Sequence, residues 1–141
     1  MRIVEKCVTS ARPETVWRVL ADVEHWHTWN PTILNVKPLR DTGLNVGTLY
    51  RVSQLRLPPA VYEVIECIPG QAFTWVQKLP GGAMIADHRL ASRSWGTQVD
   101  LSVTSKGPLA HVLAKLFSKT IRDYVATEAK SLKSYCERQT A

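Results

Sequence analysis

Cysteine is scarce in this chain of 141 residues: Cys7, Cys67 and Cys136 are odd in number and far apart. They form no C-x-x-C pair, no zinc ligand set and no disulfide framework, and read as free thiols in a reducing compartment. Long apolar runs are missing too. No stretch approaches the roughly 20 residues that a membrane helix needs, and the opening Met1-Arg2-Ile3-Val4-Glu5-Lys6 lacks the apolar stretch of a signal peptide. The expected address is the cytoplasm, without stable membrane insertion. Gly43-x-x-x-Gly47 and Gly81-Gly82 lack both the strand-to-helix context and the Lys-Ser/Thr of a phosphate loop, so nucleotide binding of that kind is excluded. No serine or cysteine stands in a nucleophile-elbow sequence, which argues against covalent hydrolysis. Asp22, His25 and His27 suggest a metal, yet on a helix the two histidines point about 200° apart and two tryptophans interrupt them. Neither metal nor other cofactor is expected.

Acidic residues are outnumbered, 12 against 18 Lys and Arg, for a formal net charge of +6 and a pI of about 9.5. That excess is modest, so its distribution decides what it means. Lys115, Lys119, Arg122, Lys130 and Lys133 cluster on one helix face, interrupted by Asp123 and without interleaved aromatics. No nucleic-acid partner is expected; the stripe reads as a solvated face, with a membrane surface or acidic partner as the alternative. At 45% hydrophobic and 21% charged the chain is globular in composition. It has the length of one domain, residues 1–141.

Ile3 to Thr9 alternates as a strand, and Ser10-Ala11-Arg12-Pro13-Glu14 supplies a polar cap, an early proline and a carboxylate for a helix. Val16, Val19 and Leu20 mark its buried face. Asp22 can cap a second short helix through Trp26 and Trp29, stopped by Asn30-Pro31. Six extended runs follow: Ile33 to Leu39, Thr48 to Leu55, Val61 to Ile68, Ala72 to Leu79, Ala83 to Arg93 and Thr97 to Ser105. Turn residues separate them, beginning with Asp41-Thr42-Gly43, and no helix intervenes, so the pattern is an antiparallel meander. After Pro108 about 30 residues without Gly or Pro predict one long helix. Val112, Leu113, Leu116, Phe117, Ile121, Tyr124, Val125, Leu132 and Tyr135 fall on its apolar arc.

This order resembles the helix-grip fold of the START-like or SRPBCC superfamily, in its polyketide cyclase/dehydrase-like branch. The likeness rests on Ala11-Arg12-Pro13-Glu14-Thr15-Val16-Trp17 followed by Asp22-Val23-Glu24-His25-Trp26-His27-Thr28-Trp29-Asn30-Pro31, with Gly96-Thr97 before a strand and a helix after Gly107-Pro108. Arg12 stands where the family usually has a small residue. The resemblance implies an α+β domain in which a curved antiparallel sheet of about seven strands wraps a long C-terminal helix. It also implies a mostly apolar cavity between them, with the short helices at its mouth.

Alternation turns Phe73, Trp75, Gln77 and Leu79 inward, with Met84, Ala86, His88 and Leu90, and with Val99, Leu101 and Val103. Between Val61 and Ile68 the two faces are nearly equal, with a slight preference for that of Tyr62. Gln77 and His88 thus lie among apolar neighbours, paired with each other or facing a wet cavity. Glu128 falls within the apolar arc of the last helix, so it is neutral, paired with Arg18, Arg51 or Arg89, or exposed at the rim. Ligand contacts are expected from Trp26, Trp29, Tyr62, Trp75, Gln77, Met84, His88, Leu113, Phe117, Ile121, Tyr124 and Glu128. The leading expectation is a binding protein for a hydrophobic or aromatic small molecule, of unknown oligomeric state. The second is a cyclase/dehydratase-like enzyme in which His88 moves a proton. The third is a partner-binding module without ligand, using the basic helix face or the Leu55-Arg56-Leu57-Pro58-Pro59 loop.

Overall fold

Chain order builds one sheet and a helical layer in the computed structural model, which describes residues 1–40 and 43–139. Strand β1 (Arg2–Thr9) leads into helix α1 (Pro13–Ala21) and a 3-10 helix over Val23–Thr28. Then come β2 (Ile33–Pro38), β3 (Leu49–Gln54), β4 (Ala60–Ile68), β5 (Ala72–Leu79), β6 (Gly82–Arg93) and β7 (Gly96–Lys106). Helices α2 (Pro108–Leu116) and α3 (Ser118–Gln139) complete the fold. The seven strands are antiparallel neighbours in the order β1-β7-β6-β5-β4-β3-β2. Each hairpin joins adjacent strands, and only β1 reaches across the molecule to pair with β7. Part of the expected turn at Asp41-Thr42-Gly43 lies outside the described residues.

The corner between β1 and α1 explains the Gly96-Thr97 pair. The Thr97 hydroxyl donates to the Ala11 carbonyl at 2.8 Å, and a Cβ at position 96 would run into the Thr9 carbonyl. Thr9 in turn donates to a Glu137 carboxylate oxygen at 2.8 Å, tying this corner to the end of α3. Pro13 opens α1 as predicted, and Val16 and Leu20 are fully buried beneath it. Within that run Arg12 is the N-cap residue, and it makes no side-chain cap bond. Asp22 is the N-cap residue of the next helix as expected, but its side chain accepts from His25 Nδ1 at 2.8 Å instead of making a backbone cap bond, and the helix is of the 3-10 kind.

Strand β4 carries a bulge between Val64 and Glu66. The extra residue reverses the alternation: Tyr62 and Val64 turn inward before it, and Cys67 packs on the core after it. Two equal-looking faces in the sequence are therefore one inward face that changes parity midway.

The long helix is two helices. α2 rests on β6 and β7, α3 crosses to β1 and α1, and the axis breaks at Phe117 (φ −101°, ψ 17°). A straight rod cannot follow both ends of a sheet this curved. No glycine or proline marks the break. Because α2 is a separate unit, its inward residues are Ala110 and Ala114, packed on Met84, whereas Val112 is 61% and Leu116 72% exposed. The predicted arc fails at those two positions. In α3 the buried residues are Val125, Ala129, Leu132 and Cys136.

Candidate functional site

The concave side of the sheet is packed with rings. Trp26, Phe73, Trp75, Tyr62 and His88 stand within 4.1–6.2 Å of one another, centroid to centroid, along the contacts that link them. The short helix delivers Trp26, whose indole N–H donates to the Leu20 carbonyl at 2.9 Å. Strands β5 and β6 deliver Phe73, Trp75 and His88 through inward alternation, with Phe73 directly opposite His88, and β4 delivers Tyr62. Each aromatic pair contributes about 0.5–1.5 kcal/mol beyond its area, so this end of the interior is rigid.

Beyond the rings lies a cavity of about 190 Å³ between sheet and helices. Trp26, Tyr62, Trp75, Gln77, Met84, His88, Leu113, Phe117, Ile121, Tyr124 and Glu128 line it. Trp29 does not: it is buried behind Trp26, ring centroids 5.6 Å apart. Trp26 itself is deeply buried and sits in the wall instead of at the mouth. Alternation did not nominate Leu57 and Pro58, which line the cavity from the loop between β3 and β4. The sequence presents that loop only as a turn. The Tyr124 hydroxyl donates to the Leu55 carbonyl and fastens the loop to α3.

The polar groups define what this interior can recognise. His88 Nδ1 lies 3.2 Å from the Phe73 carbonyl, which can only accept, so Nδ1 carries the hydrogen. Burial pushes the His88 pKa down to about 4, which keeps the ring neutral and leaves Nε2 as an acceptor. Its ring stacks on Phe73 at 4.1 Å with a 10° tilt. Across the cavity, Glu128 Oε2 stands 3.5 Å from His88 Nε2, the carboxyl side chain 16% exposed and the imidazole 4%. Burial raises the Glu128 pKa to about 8. Two neutral groups result: a carboxylic acid that donates, and an imidazole nitrogen that accepts. At 3.5 Å they make no hydrogen bond to each other, which leaves both able to bond a third atom placed between them.

The arrangement corrects two sequence expectations. His88 and Gln77 are not a pair, because Gln77 stands opposite Met84, four residues along the strand from Phe73. Among the described residues no arginine meets Glu128: Arg89 bonds Glu66 at 2.6 Å and Asp87 at 2.7 Å on the outer side of the sheet. Among the described residues neither the Tyr62 hydroxyl nor the Gln77 amide has a hydrogen-bond partner, and both line the cavity. Burial and the nearby Glu128 carboxyl raise the Tyr62 pKa to about 12, so its hydroxyl stays protonated. The cysteines supply no nucleophile here: burial lifts Cys7 to about 11 and Cys136 to about 12.

A curved sheet closed by helices over a mostly apolar hollow, with a few convergent polar groups, defines a ligand-binding domain of the START-like (SRPBCC) superfamily. The chain belongs to the family described as polyketide cyclase / dehydrase and lipid transport, whose profile matches residues 1–137. Among solved structures it is similar to TTHA0849 from Thermus thermophilus, with a TM-score of 0.79, 15% identity and full coverage of both chains. It is similar to Zhui aromatase/cyclase from Streptomyces sp. R1128, with a TM-score of 0.78 and 14% identity over 100% of this chain and 96% of that one. The di-domain aromatase/cyclase StfQ of steffimycin biosynthesis gives 0.78 and 8%, over 99% of this chain and 51% of that one. At these identities the likeness is one of fold. No curated protein matches the sequence. Among the described residues no helix is long and apolar enough to cross a membrane.

Proposed function

We propose that the protein binds a small, largely apolar molecule of one or two rings, or a short acyl segment, whose one polar group meets Glu128 and His88. The observation that carries this reading is the buried Glu128 carboxyl facing the buried His88 imidazole, 3.5 Å apart, inside an apolar cavity where burial favours the neutral form of each. The size limit follows from the volume: an engineered apolar cavity of about 150 Å³ takes benzene, so about 190 Å³ does not hold a whole membrane lipid. Burial of about 150 Å² of guest surface at about 25 cal/mol per Å² gives roughly 4 kcal/mol, a dissociation constant near 1 mM before polar contacts and ordering costs. A guest that offers both an acceptor and a hydroxyl gains further, about fivefold in affinity for each net hydrogen bond.

Calorimetric titration with naphthalene and 2-naphthol tests the reading. The phenol is expected to bind several-fold more tightly, and Glu128→Leu to erase the difference. Phe117→Asp places a charge on the cavity wall and is expected to abolish both titrations. Equal affinity of the two probes, or binding unaffected by Phe117→Asp, refutes it.

A second reading has a specific observation behind it. A carboxyl with a pKa near 8 is matched to proton donation at neutral pH, whereas an imidazole near 4 is a weak base. In a dehydratase-like reaction Glu128 gives its proton to the departing hydroxyl and His88 Nε2 takes the one from carbon, so the acid role falls to Glu128 more than to His88. Turnover of a β-hydroxy ketone that falls with Glu128→Gln while ligand affinity holds distinguishes this reading from simple binding.

A further inference from the structure

Helix α2 spends its apolar residues on the wrong side for a soluble surface. Two alanines face the sheet, while Leu109, Val112 and Leu116, at i, i+3 and i+7, share an outward face. Leu109 is 40% exposed, against 61% for Val112 and 72% for Leu116. In the loop between β3 and β4, Leu55 is exposed as well, and Arg56 projects with φ 63°, a left-handed conformation that non-glycine residues seldom adopt. The two elements meet at the cavity: Leu113 and Phe117 from the α2 end, and Leu57 and Pro58 from the loop, line it.

Cations predominate in the chain segment that carries this face. From Leu101 to Arg122 the sequence holds Lys106, Lys115, Lys119 and Arg122 and no Asp or Glu; Asp123 lies just beyond. Lys106, Lys115, Lys119 and Arg122 are all exposed, as is Arg56 in the loop. Among the described residues none of these five has an ion-pair partner. Large apolar side chains set among uncompensated cations complement a surface that is greasy inside and negative outside.

We propose that α2 and the loop between β3 and β4 form a docking face for an anionic lipid bilayer, which sets this side of the cavity against the membrane. Val112 and Leu116 enter the boundary of the acyl chains, and Lys115, Lys119 and Arg56 meet the headgroups. The protein binds peripherally and reversibly, without spanning. This goes beyond ligand binding in the cavity and does not depend on it.

The test is co-sedimentation of the full chain with vesicles of two parts phosphatidylcholine to one part phosphatidylglycerol, beside vesicles of phosphatidylcholine alone. Binding to the anionic vesicles is expected at low salt, with marked weakening as salt rises. Lys115→Gln with Lys119→Gln is expected to cost about 25-fold, near fivefold per lysine. Val112→Ser with Leu116→Ser is expected to cost at least about tenfold, since each methylene withdrawn from the interface costs about fourfold. These four side chains are outside the core, and circular dichroism of each variant checks that the fold is retained. Failure to bind anionic vesicles overturns the proposal, as does equal binding to neutral ones or indifference to both double variants. Light scattering that shows a dimer, dissolved by Val112→Ser with Leu116→Ser, also overturns it by assigning the face to a second copy. Calorimetry with the small probes reads the cavity separately, so failure of either proposal is seen without the other.

Discussion

Replacing Glu128 by Gln is expected to stabilise the protein. The carboxyl has an ordinary pKa of 4.5 when the chain is unfolded and about 8 when burial holds it in the cavity. At pH 7 the folded chain must therefore keep a proton that the unfolded chain releases. That difference, 2.5 pH units at about 1.4 kcal/mol each, costs folding about 3 kcal/mol. Glutamine has nearly the same shape, can donate to His88 Nε2 and titrates nowhere. For an acid whose folded pKa is raised, the stability it allows is present below 4.5 and is lost as pH climbs toward 8. His88 works in the opposite direction: lowered from 6.5 to about 4, it costs stability as pH falls through that interval. Between 4.5 and 6.5 the folded pair holds one proton on the acid and the unfolded pair holds one on the imidazole. Their slopes cancel there, and the acid acts alone from 6.5 to 8. Urea unfolding of wild type and Glu128→Gln at intervals from pH 4 to 9 reads this directly as a difference curve. It should start near zero, rise through about 3 kcal/mol at pH 7 and level off above pH 8. A flat difference, or a variant less stable at every pH, refutes the reasoning. Either would mean that burial does not hold Glu128 protonated in the folded chain at neutral pH.

In the same titration His88→Phe keeps the ring against Phe73 and is expected to lose the acid-side penalty, gaining stability relative to wild type only below about pH 6.5. Leu132→Ala empties a fully buried position in α3 and is expected to cost about 2–5 kcal/mol in urea unfolding. Tyr124→Phe removes the bond to the Leu55 carbonyl; about 1 kcal/mol of stability and faster hydrogen exchange at the Leu57 amide are the expected signs.

Legibility in the sequence followed the regularity of the local rule. Strands β5, β6 and β7 alternate without interruption, so Trp75, Gln77, Met84 and His88 could be assigned inward from period two alone. In β4 the rule fails at the bulge, where one inserted residue swaps the faces and makes both look half apolar. The last helix misled for a different reason. Its break at Phe117 is imposed by two docking surfaces on one curved sheet, and no residue with unusual backbone preferences announces it. Projecting one wheel through the break put Val112 and Leu116 inside. Beyond the break the same wheel placed Ile121, Tyr124 and Glu128 where they lie, on the cavity. What Glu128 meets there was beyond reach: its partner comes from β6, forty residues earlier, and long-range pairings of this kind leave no local trace. The volume of the hollow was equally hidden, being set by how far the aromatic rings advance into it.

Ala110, Ala114 and Ala129 lie outside the cavity lining, yet they are the spacers that fix how far α2 and α3 stand off the strands. A bulkier residue at any of them lifts its helix like a shim and enlarges the chamber from behind. Width and chemistry of the chamber can therefore be altered separately, the first through these hidden shims and the second through the side chains on the wall.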